Sequence, residues 1–89
     1  MAEAHGVRCT PHDACSSGTG VALAANLHVL APVADPPYAE YDLYDDSPLQ
    51  RNFPKDPFRA VDGVILLNDS PGLGVELDPD SVERYRVDR

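Results

Sequence analysis

Apolar side chains fill Val21 to Ala31 almost without a break, with Asn26 and His28 as the polar exceptions. A helix of this composition is apolar on more than one face and asks for burial nearly all round. The small-residue stretch before it, Asp13 to Gly20, offers Ser16, Ser17 or Thr19 as caps and predicts a helix start near Thr19 or Gly20. Pro32 ends the helix at about Leu30, and Asp35-Pro36-Pro37 reinforces the stop. Two short strand-like segments flank it. Val7-Arg8-Cys9-Thr10 is halted by Pro11, whose missing N–H cannot join a ladder, and Tyr38-Ala39-Glu40-Tyr41 opens an acidic run. At the amino terminus Glu3-Ala4-His5 has helical character, and Gly6 is the left-handed residue that ends it. The tail holds strand-like Gly63 to Leu67 and Val75 to Leu77 around Asn68 to Gly74, a loose hairpin or paired bend. Asp78 then caps a short helix with Pro79 in its first turn.

Eighty-nine residues make one small domain at most. Nine prolines, concentrated in the middle, mark the stretch up to Ala60 as loop. Seven Lys and Arg against fifteen Asp and Glu give a net charge of −8, which repels phosphate backbones and anionic lipid. Nucleic acid and membranes are therefore not expected partners. No stretch is long and apolar enough to span a bilayer, and Met1-Ala2-Glu3-Ala4-His5 lacks the basic start and apolar centre of a secretion signal. A cytoplasmic location is expected. Two cysteines, Cys9 and Cys15, are too few for a disulfide scaffold.

Strand, buried helix, strand is a βαβ unit, and such units close parallel sheets whose strands need neighbours on both sides. Those neighbours are not encoded here, and a helix apolar all round has too little chain to surround it. The expectation is a piece of something larger.

The residues then form an ordered pattern. His5 to His12 with its Pro11-His12 pair, Ser17-Gly18 leading into Ala24-Ala25-Asn26-Leu27-His28, Glu40-Tyr41-Asp42, Asp62-Gly63 and Pro71-Gly72-Leu73-Gly74-Val75-Glu76-Leu77 follow in turn. Over nearly the whole chain this resembles the carboxyl-terminal end of the enolase superfamily, in particular the mandelate racemase and muconate lactonizing enzyme group with its acid-sugar dehydratases. The resemblance implies an α/β fold: the C-terminal fragment of a (β/α) TIM-like barrel, its last two strands and the helix between them, plus a tail returning to the capping domain. Residues 1–60 would end the barrel, with Val7–Thr10 as strand seven and Tyr38–Tyr41 as strand eight, and residues 61–89 would form the strand pair and short helix.

What the family implies chemically is removal of the proton next to a substrate carboxylate, with magnesium carrying the enolate charge. His12 matches a general base or acid, a task suited to imidazole because its unperturbed pKa lies near neutrality. Glu40 matches a carboxyl group that donates to the substrate carboxylate, which requires a raised pKa. Gly18 and Thr19, before the helix, are candidate contacts to distal substrate hydroxyls. The family's acidic magnesium ligands, its lysine base and the Asp partner of the histidine come from earlier strands. No metal ligand is therefore assigned here; magnesium belongs to the parent enzyme and is not expected to bind this chain alone, which should be inactive. The tail also departs from the usual pattern, with Leu67-Asn68-Asp69 where relatives often place a proline.

Blander readings stand beside these. His12 could be a strand-end histidine bonded to a carbonyl, Glu40 a solvated acid, and His28 a packing residue. The run His5, Cys9, His12, Cys15 offers four zinc-type ligands, but tighter than ordinary sites and with Cys9 and His12 on opposite strand faces. Acidic Glu40, Asp42, Asp45 and Asp46 lack the spacing of a calcium loop. A small non-catalytic module that self-associates, or binds zinc, is the alternative to an enzyme fragment. Substrate identity, racemase against dehydratase chemistry and oligomeric state are not written in these residues.

Overall fold

The computed structural model describes residues 1–13, 20–41 and 52–88. The expected cap residues Ser16, Ser17 and Thr19, the candidate contacts Gly18 and Thr19, and the acidic Asp42, Asp45 and Asp46 lie outside them.

The chain opens with one 3₁₀ turn, Glu3–His5, closed by Gly6 at φ 67° with its N–H bonded to the Glu3 carbonyl. That is the ending expected of a left-handed glycine. Helix α1 spans Val21–Leu30, starts from Gly20 at φ 73° without a side-chain cap, and ends before Pro32. Ala24, Leu27 and Leu30 are its buried residues, a stripe at helical spacing. Val29 stays 57% exposed and the remaining apolar residues of α1 outside the buried stripe are half-buried, so its apolar surface is only partly covered. No large side chain among the described residues is fully buried. An open apolar groove of about 310 Å³ runs beside the end of α1, lined among others by Leu27, Leu30, Pro36, Pro37, Ile65 and Leu67.

Neither Val7–Thr10 nor Tyr38–Tyr41 forms a strand, which corrects the sequence expectation for both. Val7 is 58% exposed and Tyr38 90% exposed, where a barrel strand would be enclosed. A two-segment parallel ladder with no neighbour on either edge lacks the pairing and cover that such strands require. Side chains in and next to these segments nonetheless pair in parallel order: Arg8 Nη2 donates to Asp35 Oδ2 at 3.2 Å, and His12 Nδ1 to Glu40 Oε2 at 2.7 Å.

The tail hairpin also differs from expectation. Strand β1, Ala60–Val61, pairs antiparallel with β2, Val64–Ile65, in the register Ala60 to Ile65 and Val61 to Val64. Asp62 at φ 51° and Gly63 at φ 77° make the turn. Two positive φ values in a two-residue loop are the type I′ pattern that matches strand twist, so β2 folds back on the residues before it. Val75–Leu77 instead faces residues 53–55: Leu77 bridges Pro54, Lys55 N donates to Glu76 O at 2.9 Å, and Asp78 N donates to Phe53 O at 2.6 Å. Helix α2, Pro79–Arg84, has Asp78 as its cap, accepting from Ser81 N, with Pro79 at its start as expected. The Phe53 and Tyr85 rings stack with centroids 5.7 Å apart.

Candidate active site

Twenty-eight positions separate His12 from Glu40, and α1 with its two flanking segments returns the chain so that they meet. Pro11 ends the first segment just before His12, and Pro36-Pro37 turn the chain out of α1 toward Glu40. Glu40 Oε2 accepts from His12 Nδ1 at 2.7 Å and from the Asp13 backbone N–H at 2.8 Å. Asn26, from α1, donates its Nδ2 to the His12 carbonyl at 3.1 Å. The site is open, with the His12 side chain 78% and the Glu40 side chain 44% exposed.

The Asp13 N–H, first, and the His12 ring, second, hold the Glu40 carboxyl below its usual range, and the small loss of hydration there does not reverse them. A raised Glu40 pKa was the expectation, and it is corrected: two donors on one oxygen favour the carboxylate. As an acceptor on Nδ1, Glu40 fixes the tautomer in which His12 Nε2 carries the lone pair, leaving Nε2 to exchange a proton. His28 sits elsewhere, half-buried, donating Nδ1–H to the Ala24 carbonyl at 2.7 Å within its own helix.

Magnesium asks for several hard oxygen ligands in near-octahedral geometry. Among the described residues no group of three or more His, Cys, Asp or Glu gathers to hold a metal ion, and the Glu40 oxygen at the site already serves two donors. The described residues do not fit a magnesium centre. His5, Cys9 and His12 likewise do not assemble a zinc set; Cys15 lies outside the described residues. Among the described residues no helix is long and apolar enough to cross a membrane.

The structure thus joins His12 and Glu40, two candidates that the sequence pattern gave separate roles, and adds two partners that sequence reasoning gave no role, the Asp13 N–H and Asn26. Asn26 carried a signal, since a lone amide in an apolar helix needs a hydrogen-bond partner. The Asp13 backbone donor left none.

The family described as "Enolase C-terminal domain-like" matches residues 1–81. The chain belongs to it. Membership makes the chain part of the α/β barrel portion of the enolase superfamily. Among curated relatives, the D-galactarolactone cycloisomerase of Agrobacterium fabrum is 36% identical over 95 aligned positions, covering 98% of this chain and 24% of that protein. A D-galactonate dehydratase family member of Enterococcus gallinarum is 32% identical over 85 positions, covering 96% of this chain and 21% of that protein. The enolase-type chain therefore spans about a quarter of the length of these relatives. No solved structure matches it significantly.

Proposed function

We propose that the chain is the closing part of an acid-sugar enzyme that removes the α-proton of a carboxylate substrate, as a dehydratase, cycloisomerase or racemase, and that it is inactive alone. Segments 7–10 and 38–41 take the places of the last two barrel strands once neighbours flank them, with α1 between; residues 61–89 return toward the capping domain. His12 exchanges the proton at the α-carbon or gives one to a departing hydroxyl. Within this chain Glu40 holds the imidazole by Nδ1; in the parent enzyme an Asp from an earlier strand partners the histidine and Glu40 faces the substrate carboxylate. The parent enzyme's magnesium is held outside these residues. The substrate is a sugar acid, in keeping with the names of the two relatives.

One observation carries this reading: a histidine and a glutamate 28 positions apart, on either side of a helix, meet at 2.7 Å, with Arg8 and Asp35 pairing earlier in the same order. An isolated surface pair of this kind contributes little to stability, so its placement is better explained by chemistry than by folding. The test is a chimera in which this chain replaces the aligned quarter of the D-galactarolactone cycloisomerase. The chain alone is expected to convert nothing, and the chimera to be active. His12→Ala in the chimera should lower kcat by at least about 10²-fold, the usual contribution of a positioned acid or base. Full activity in that variant would end the proposal.

A further inference from the structure

Asn26 is the sole side-chain amide of α1, whose one other polar residue is His28, and its Nδ2 points out of the helix to a backbone carbonyl, that of His12. That carbonyl and the Asp13 N–H are the two ends of one planar peptide group. The N–H end donates to Glu40 Oε2, the oxygen that also accepts from the His12 ring. One peptide plane is thus gripped from the helix on its oxygen side and by the active-site carboxylate on its nitrogen side. Swinging that plane would withdraw the Asp13 N–H from Glu40 and shift the His12 Cα that carries the ring. A donor on the carbonyl also polarises the peptide and strengthens its N–H as a donor.

We propose that Asn26 is a positioning residue, fixing the peptide plane between His12 and Asp13 so that the Asp13 N–H and the His12 ring both meet Glu40. This rests on the reading of His12 and Glu40 as the reactive pair. Packing alone does not account for the amide. Asn26 is half-buried in an apolar helix, where leucine of similar size would serve better and asparagine is the poorer helix former.

The experiment follows the Glu40 side-chain carboxyl and the Asp13 amide proton by NMR as a function of pH, in the intact 89-residue chain at low temperature. His12 and the Asp13 N–H are the groups that face the Glu40 carboxylate. In the unmodified chain the Glu40 midpoint should lie below the ordinary glutamate value of about 4.3. In Asn26→Ala and in Asn26→Leu it should move upward toward that value, with the Asp13 amide proton moving upfield. Far-UV circular dichroism should show α1 retained, because alanine and leucine both favour helix over asparagine. Unchanged Glu40 and Asp13 signals in both variants with α1 intact overturn the role of Asn26 and leave the pair standing. Loss of α1 in both variants also overturns it, showing Asn26 to hold the helix rather than aim the pair. An ordinary Glu40 midpoint in the unmodified chain removes the pair itself, and with it both this inference and the reading beneath it.

Discussion

Glu40 shows how little of a residue's chemistry its identity decides. The family pattern asks for a carboxylic acid that donates, yet here one oxygen accepts from a backbone N–H and an imidazole at once. The sign of the resulting pH dependence follows. Because the folded pKa is depressed, the contribution of these contacts to the fold is complete above the ordinary glutamate value of about 4.3 and is lost as pH falls through the lower folded value. The Asp13 N–H is the larger cause and the His12 hydrogen bond the second. His12→Ala should therefore raise the Glu40 midpoint only part of the way, leaving it still below ordinary. Carbon-13 titration of the Glu40 carboxyl checks the order of the two causes. A full return to the ordinary value would make His12 the dominant partner.

At the scale of elements, what local chemistry determines was legible and what needs neighbours was not. Gly6 closing a turn, Pro32 stopping α1 and Asp78 capping α2 each depend on a few adjacent residues, and each is found as read. Val7–Thr10 and Tyr38–Tyr41 read as strands because their residues suit a ladder, but a ladder is a property of two partners and a sheet. The family pattern put His12 and Glu40 at the same end of the fold, but their direct contact was not legible, since no spacing rule links residues 28 apart. The β1–β2 hairpin is a different miss. Asp62-Gly63 between apolar pairs is the strongest short-range hairpin signal, and it pairs Val64–Ile65 with the residues before the turn rather than with Val75–Leu77. That turn is testable. An added Cβ at Gly63 meets nothing within 4 Å, so any cost of substitution comes from its φ of 77° alone. Gly63→Ala should weaken the hairpin by about 1 kcal/mol and Gly63→Asn by less, because asparagine tolerates the left-handed region. Amide exchange at Val64 and Ile65 reads the difference. The strap from Phe53 to Lys55 makes a second case. Phe53→Ala removes the stack on Tyr85, worth about 0.5–1.5 kcal/mol beyond burial, and should speed exchange of the Lys55 and Asp78 amides about fivefold.

For the molecule as a whole, the balance between chain and core decides what it can do alone. Its Cα radius of gyration is 14.4 Å, against about 12 Å for a compact chain of this length. Three apolar residues of α1 are the buried hydrophobic core among the described residues, while Val61, Val64 and Leu66 of the hairpin region stay exposed. Apolar area left in water contributes nothing to folding, so the heat of unfolding should reflect the missing burial. A fully packed chain of this length would absorb about 60 kcal/mol near 60 °C. Differential scanning calorimetry of the isolated chain should give a broad transition with less than about half of that, and dyes that bind exposed apolar surface should bind it below the transition. A self-associating module predicts otherwise. Pairing of open edges between two copies would give a sharp transition whose midpoint rises with protein concentration, together with a defined dimer by sedimentation. That outcome would mean that a second copy covers α1, and the enzyme-fragment reading would lose its ground, because a surface already satisfied has no need of the remaining barrel.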